Sequence, residues 1–284
     1  MPVPGEVLLV LAENLLSDAQ FPSHTLAADQ EATGFEVWHL ADNRRQPGDR
    51  WQATSANADH TVTLTCNQLR AADCFVLDRA SNHLGKRFLL ESSNDSFATA
   101  HTVFDITLPL VPGGAPGEAY GCVTDEGSWL KTFPAEAAYG WRLTSKAMGV
   151  NLVPQLTCAW LGKAWQPANL LLNYPSQDEA YAVAAAVTMS PAGWRGRLKP
   201  AFARAGQLLI QPGDEGEFDL LRYHALSLMG DAGAPAWICW DRVSGGRKAF
   251  LAALPDSSQL DLARVKESPY RRFTLPFLEE QPLP

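Results

Sequence analysis

Two stretches of the amino-acid sequence decide the fold class: residues 61–65 read TVTLT, and residues 74–90 read CFVLDRASNHLGKRFLL. In the first stretch polar and apolar side chains alternate, which places Val62 and Leu64 on one face of a half-buried strand. The second stretch holds two short apolar runs separated by a polar turn that includes Gly85, a pattern typical of a β-hairpin. We therefore predict a chain that is mainly β.

The rest of the chain continues this pattern, with one helical exception. Short apolar runs alternate with turn residues, and the chain contains 21 glycines and 20 prolines. Many short strands with frequent turns are typical of β-sandwiches and barrels. At residues 214–217 the sequence DEGE combines an N-cap residue with a glutamate three positions later. Apolar residues then recur at helical spacing, which predicts one helix over roughly residues 215–229.

Length and charge exclude several classes of function. The chain has 284 residues, of which 46% are hydrophobic, which is enough for one large or two medium domains. Its 23 basic and 31 acidic residues give a net charge of −8. This balance argues against a general nucleic-acid binder, because such a protein needs a basic surface. The sequence has no apolar run of the ~18 residues that a membrane span needs. It also begins without the basic segment of a signal peptide, so we expect a soluble protein.

Catalytic and metal-binding motifs are not recognisable in the sequence. The five cysteines are scattered and odd in number, which predicts buried thiols rather than a disulfide framework. The six histidines lack the spacing of a zinc motif, and the sequence contains no nucleophile elbow, P-loop or dinucleotide fingerprint. We therefore expect no metal, no cofactor and no enzymatic activity. A hydrolase whose residues converge from distant positions stays open as an alternative.

Tryptophan is the unusual component of the sequence, with nine residues. Indole rings in a β-protein either fill the core or present a stacking face to a sugar or a protein partner. Those predicted to fill the core lie inside apolar strands: Trp141, Trp160, Trp237 and Trp240. Two others lie beside polar loops, and with a neighbouring arginine they form the candidate contacts for a glycan or partner: Arg50, Trp51 and Trp129.

The order of several motifs resembles the discoidin-like, or galactose-binding-like, β-sandwich over residues of about 27–162. The motifs are FEVWHL at 35–40, RWQATS at 50–55, VLDR at 76–79, NHLG at 82–85, YGWRL at 139–143 and AWLG at 159–162. Tail proteins of some tailed bacteriophages are similar in this part and in the segments that follow. The resemblance implies a discoidin-like sandwich followed by a second, mostly β domain with one helix. The expected division is an N-terminal extension at 1–26, the sandwich at 27–166 and the second domain at 167–284.

The same resemblance implies a structural component of a phage tail, at the tail tip or as a minor tail protein. Such a protein would be assembled in the host cytoplasm, reside in the virion, and have other tail proteins and a symmetric homo-oligomer as partners. The expected assembly strand, which would close its own sheet or add to a neighbour's, includes Tyr270, Arg271, Arg272, Phe273 and Phe277. The alternative is a carbohydrate-binding module that attaches to host-surface glycans.

Overall fold

Strands dominate the structure of this chain, and the mainly β class predicted from the sequence is confirmed. The computed structural model describes residues 9–42, 49–78, 82–108, 121–123, 128–149, 151–165, 169–170, 180–184, 187–189, 195–197, 201–211, 214–224, 235–239, 249–254 and 273–279. These residues contain one α-helix. No helix among them has the length and apolar character needed to cross a membrane.

The chain divides into two compact units. The first comprises Gly5–Trp165, Ile238–Ala249 and Pro284, and the second comprises Met1–Pro4, Gln166–Trp237 and Phe250–Leu283. The three-part division expected from the sequence stays a prediction. The strands up to residue 165 are β1 (Leu9–Leu11), β2 (Thr25–Ala28), β3 (Trp51–Gln52), β4 (His60–Asp78), β5 (Arg87–Ser93), β6 (His101–Thr107), β7 (Gly121–Val123), β8 (Trp129–Ser145), β9 (Gln155–Leu156) and β10 (Cys158–Gly162). A short 3-10 helix, Val37–Leu40, lies between β2 and β3.

The first unit is a β-sandwich whose two sheets share the long strands β4 and β8. These strands pair antiparallel, with register shifts between Thr65 and Arg70 and between Ala72 and Cys74. On the N-terminal side of the shifts in β4, the strand order is β2-β4-β8-β5-β6. On their C-terminal side it is β10-β4-β8-β7. Bulges bend and twist a strand pair. The β4–β8 ribbon therefore crosses from a five-stranded sheet to a four-stranded sheet.

The hairpin predicted between residues 74–77 and 87–90 is wrong, although both runs are strands. β5 pairs with β8 and β6, and β4 pairs with β8 rather than with β5. The physical reason is the crossing of β4. Its C-terminal half lies in the four-stranded sheet, so the chain must change sheets again before β5 begins.

Aromatic side chains from both sheets form the sandwich core. The Phe75 ring of β4 lies 5.8 Å from Phe88, 6.0 Å from Phe104 and 6.0 Å from Trp129, measured between ring centroids. Buried aromatic rings contribute large apolar areas and prefer such tilted arrangements. Trp141 and Trp160 are also fully buried, as is Trp237 in the second unit, which confirms these three as core residues. Trp240, the fourth tryptophan predicted to be buried, lies outside the described residues.

The second part of the chain contains the α-helix and the remaining strands. These are β11 (Asn169–Leu170), β12 (Ala180–Ala184), β13 (Val187–Met189), β14 (Arg195–Arg197), β15 (Ala201–Gln211), α1 (Glu215–Arg222), β16 (Ala236–Cys239), β17 (Ala249–Ala253) and β18 (Phe273–Glu279). β15 pairs with β11, β12 and β18. The predicted N-cap of α1 is confirmed, because Asp214 Oδ1 accepts a hydrogen bond from Glu217 N at 2.8 Å. The predicted helix end at 229 lies outside the described residues.

Candidate functional site

Two of the candidate contact residues, Trp51 and Trp129, are completely buried. The indole Nε1 of Trp51 donates a hydrogen bond to the Gln30 carbonyl oxygen at 3.0 Å. The ring of Trp129 packs against Phe104, with 5.6 Å between the centroids. Neither indole offers a face to a ligand, so the expectation of stacking through these rings is wrong. Both rings point into the sandwich instead.

The polar loop beside Trp51 uses its side chains for internal hydrogen bonds. Gln30 Oε1 accepts from the hydroxyl groups of Thr54 at 2.6 Å and Ser55 at 2.9 Å. The buried His60 Nε2 lies 3.0 Å from the Ser55 carbonyl oxygen, and its Nδ1 lies 3.4 Å from Asp29 Oδ2. These contacts hold the loop against the start of β4, and they account for the polar residues that suggested a ligand site in the sequence.

Arg50, the third candidate, contributes to a different surface. Its guanidinium carbon lies 4.8 Å from the centre of the Phe35 ring, and its Nη2 donates to Gln52 Oε1 at 3.2 Å. Gln155 Nε2 donates to the same Gln52 oxygen at 3.1 Å. The antiparallel pairing of β3 and β9 brings the two glutamines together. Arg50 is therefore held beside the segment that leads into the 3-10 helix.

The 3-10 helix presents an exposed indole. Val37 and Leu40 are buried, whereas the side chain of Trp38 remains 50% exposed. In a 3-10 helix the side chains at i and i+3 lie on the same face, so burial of Val37 and Leu40 turns Trp38 outward. An exposed ring on a short helix with a buried face is a rigid platform for a ligand. We call this group the Trp38 patch, defined by the side chains of Glu36, Trp38, His39 and Asp42.

Two carboxylates and an imidazole accompany the indole in the Trp38 patch. His39 is buried, and its ring centroid lies 3.7 Å from that of Trp38. Its Nδ1 lies 3.3 Å from Asp42 Oδ2, and its Nε2 lies 3.6 Å from Glu36 Oε2. The other Glu36 oxygen accepts from the backbone N–H of Gly34 at 3.1 Å. The carboxylate of Glu36 is thus fixed in place while 40% of its side chain stays accessible.

Sequence reasoning singled out Arg50 but missed Trp38 and its neighbours. The signal that could have found Trp38 is the spacing of Val37 and Leu40, which predicts a helical turn with both residues inward. The carboxylates of the patch have no sequence signature of this kind. Their meeting at His39 depends on the 3-10 turn, which brings residues three apart onto one side.

The expected assembly strand lies partly within the described residues. Phe273 and Phe277 belong to β18 and pair with Ile210 and Gly206 of β15. At its other edge the end of β18 pairs with β17, through Leu278 and Glu279. The strand therefore closes its own sheet, which is one of the two roles expected. Pairing with a neighbouring copy stays a prediction, and Tyr270, Arg271 and Arg272 lie outside the described residues.

A cysteine and a histidine approach each other in the sandwich without forming an activated nucleophile. Cys66 Sγ lies 3.9 Å from His24 Nδ1, but burial raises the pKa of this thiol to about 11. The same His24 nitrogen lies 3.0 Å from the Leu15 carbonyl oxygen, which only a protonated Nδ1 can satisfy. It is therefore not placed to act as a base for the thiol. Within the part of the chain that the structure describes, no three His, Cys, Asp or Glu side chains converge as metal ligands.

Comparison with known proteins finds likeness in fold alone. No protein-family model matches this sequence, and no curated protein matches it. The chain is similar to a family 32 carbohydrate-binding module from Clostridium perfringens NanJ, solved with galactose, at 12% identity, with 49% of this chain and 93% of that chain covered and a TM-score of 0.38. A chitosan-binding module of a chitosanase/glucanase from Paenibacillus sp. IK-5 matches at 18% identity, with 52% and 98% covered and a TM-score of 0.40. A family 32 module from Streptococcus pneumoniae EndoD matches at 13% identity, with 53% and 99% covered and a TM-score of 0.38.

Proposed function

We propose that the first unit is a carbohydrate-binding module whose ligand stacks on Trp38. The observation that carries this proposal is the half-exposed indole on a helix whose other face is buried. The apolar face of a sugar ring packs on an aromatic ring, and its hydroxyl groups need hydrogen-bond partners close to that ring. Glu36, of which 40% of the side chain stays accessible, supplies a hydrogen-bond acceptor in the Trp38 patch.

The side chains of the Trp38 patch are already oriented before a ligand binds. Glu36 is held by the Gly34 N–H, and the Trp38 indole lies against the buried His39 ring. Groups that are already oriented lose little conformational entropy when a ligand arrives. A site with these properties binds a small rigid ligand without rearranging the sandwich.

Tyr139 provides the comparison within the same unit, because its side chain is 46% exposed. It lies on β8 next to Gly140, where its backbone N–H donates to Asn94 Oδ1 at 3.2 Å. The tyrosine therefore matches Trp38 in exposure but belongs to a different element. It supplies the control for a general effect of removing an exposed aromatic ring.

The test is retention of the full chain on immobilised sugars. Wild-type protein, Trp38→Ala and Tyr139→Ala are passed over agarose carrying galactose, N-acetylglucosamine or glucosamine. We expect the wild type and Tyr139→Ala to be retained by at least one matrix and Trp38→Ala to elute with the void volume. Thermal unfolding of all three proteins checks that the Trp38 variant remains folded. Equal retention of wild type and Trp38→Ala, or no retention on any matrix, contradicts the proposal.

The role in a phage tail stays a prediction that rests on the sequence resemblance. The same holds for the associated expectations: tail-protein partners, a symmetric homo-oligomer, location in the virion and no enzymatic activity. Sugar binding and a tail role are compatible, because a tail must attach to a host surface. Immunolabelling of purified particles with an antibody against this chain tests the tail role directly.

A further inference from the structure

The outer edge of β10 is covered by a segment from the N-terminal part of the chain. Among the described strands, β10 pairs with β4 alone, so its other edge lies outside the ladder. Successive residues of a strand direct their backbone groups to alternate sides. Ala159 and Leu161 direct theirs to the outer edge, where they bond to Asn14 and Leu15. We call residues 12–16 the N-terminal strap.

Asn14 takes the place that a peptide group of a neighbouring strand would have. The residue is completely buried. Its Nδ2 donates a hydrogen bond to the Ala159 carbonyl oxygen at 3.0 Å, and its Oδ1 accepts one from Leu161 N at 3.3 Å. Leu15 N donates to the Leu161 carbonyl oxygen at 2.8 Å. Three backbone groups of the β10 edge are therefore satisfied by the N-terminal strap, two of them through a side-chain amide.

The N-terminal strap is fastened separately from the ladder that holds β10. Gln20 Oε1 accepts from Asn14 N at 2.8 Å, and Gln20 Nε2 donates to the Ala12 carbonyl oxygen at 3.2 Å. These bonds tie the strap to the turn that follows it, whereas β10 is held by its pairing with β4. Loosening the strap therefore uncovers the outer edge of β10 without breaking the β10–β4 pairing.

An uncovered β10 edge favours pairing with another strand. Its sequence CAWLG contains no charged residue, and charged side chains are one of the ways in which proteins protect an exposed strand edge. β6, at the other end of the same strand order, carries the exposed carboxylate of Asp105. The edge of β10 therefore depends on the N-terminal strap for its protection.

Two copies of β10 satisfy each other when they pair in the antiparallel direction. A two-fold axis at Trp160 places Ala159 of one copy opposite Leu161 of the other. Opposed residues whose backbone groups face each other exchange two hydrogen bonds. The symmetry produces this pair twice, so the backbone groups that the strap satisfies in one chain are satisfied again in the dimer.

We propose that the N-terminal strap prevents β10 from pairing with a second copy of this chain, and that its release produces a two-fold dimer joined through β10. The strap and the second copy compete for the same backbone groups. Dimer formation is therefore coupled to the loss of the strap contacts, and it depends on protein concentration. This device is separate from the Trp38 patch and does not depend on sugar binding.

The first arm of the experiment measures solution mass by sedimentation velocity for the full chain. Asn14→Ala removes both side-chain bonds to β10, and Gln20→Ala loosens the strap through Ala12 and Asn14 while leaving Asn14 in place. We expect the mass of each variant to rise from the wild-type value to about twice that value as the protein concentration is increased about a hundredfold. Gln20→Ala should need the higher concentration. Closed two-fold pairing stops at the doubled mass.

The matched control is Asn82→Ala. Asn82 Nδ2 donates to the Val153 carbonyl oxygen at 3.0 Å, so this variant also removes an asparagine bond to distant backbone, but one that involves neither β10 nor the strap. It should keep the wild-type mass at every concentration. A doubled mass in Asn82→Ala would show that a loss of stability alone causes association, and it overturns the inference.

The second arm locates the interface by hydrogen exchange, followed by NMR. In a dimeric variant the Leu161 N–H should be protected at high protein concentration and should exchange faster on dilution, whereas its protection in the wild type is independent of concentration. A Leu161 amide insensitive to dilution in the variant overturns the inference, as does growth beyond the doubled mass. A folded Asn14→Ala that keeps the wild-type mass also overturns it. If Asn14→Ala does not fold, Gln20→Ala decides by the same criterion.

Discussion

The inter-sheet core and the Trp38 patch use the same kind of side chain in opposite ways. Trp129 and Trp141 are closed in by rings from both sheets, and their indoles are inaccessible. Trp38 lies on a helix whose neighbours are buried, and half of its side chain remains accessible. The core rings stabilise the fold through buried area, whereas the Trp38 ring adds little to stability and is available to a ligand. We therefore expect substitutions of the core tryptophans to reduce stability and substitution of Trp38 to reduce ligand binding.

The largest expected effect is the loss of stability in Trp141→Ala. The side chain is 1% exposed, and its ring lies 6.4 Å from that of Phe133. Truncating a buried tryptophan removes apolar contacts and leaves a cavity, at a cost of about 3–5 kcal/mol. Urea denaturation of the full chain measures the change, or solubility reports it if the variant does not fold. A variant as stable as the wild type would show that Trp141 does not stabilise the sandwich core.

Gly162→Ala tests how closely the N-terminal segment packs against the sandwich. A Cβ at this position would clash with the backbone oxygen of Glu13 and lie 3.2 Å from a Leu11 methyl carbon. The segment is held there by Leu15 N, which donates to the Leu161 carbonyl oxygen at 2.8 Å. A contact with backbone cannot be relieved by a side-chain rotation, so we expect a loss of about 1–3 kcal/mol. Urea denaturation measures this loss of stability. In Gly34→Ala nothing lies within 4 Å of the added Cβ, so this control reports the cost of backbone strain without crowding.

The sequence predicted the class of fold because strand alternation and burial follow the same pattern in this chain. Val62 and Leu64 alternate with threonines and are buried, as expected from TVTLT. The pairing of strands was harder to predict, because the crossing of β4 between sheets depends on bulges after Thr65 that have no local signal. Register in a sheet depends on contacts between residues far apart in the sequence.

The candidate site was less predictable than the fold for a related reason. Trp51 and Trp129 have polar sequence neighbours, yet the direction of a side chain on a strand depends on its parity and not on the polarity of adjacent residues. Arg50 was identified by its position next to Trp51, and it lies over the partly buried Phe35 ring. Trp38 lies between Val37 and His39, which are both buried, and the helical turn directs its own side chain outward.

His83 makes the interior of the sandwich sensitive to acid. The ring is fully buried, its Nε2 lies 3.0 Å from Ser145 Oγ, and burial lowers the pKa to about 3. An unfolded histidine binds a proton at about pH 6.5, so the unfolded chain takes up the proton first. The contribution of the neutral His83 ring to stability is therefore complete above about pH 6.5. It decreases by about 1.4 kcal/mol per pH unit as the pH falls toward the pKa of His83 in the folded chain.

The measurement for His83 is the difference in pH dependence between the wild type and His83→Gln. Burial also lowers the pKa of His224, to about 4, and that of His24, so the wild-type slope contains several contributions. Subtracting the His83→Gln profile isolates the one from His83. Identical slopes for wild type and His83→Gln would mean that this imidazole is not protected from water.

The smallest expected effect on stability belongs to Trp38→Ala, and it completes the comparison with Trp141→Ala. With 50% of the Trp38 side chain exposed, its removal leaves no closed cavity, and substitutions at such surface positions usually change stability by less than about 1 kcal/mol. Val37 and Leu40 keep the 3-10 helix docked, because both remain buried. We therefore expect a urea midpoint close to that of the wild type, measured alongside Trp141→Ala. A loss of several kcal/mol in Trp38→Ala would mean that the indole supports the fold through its contact with His39, and the separation between core ring and ligand ring would then be wrong.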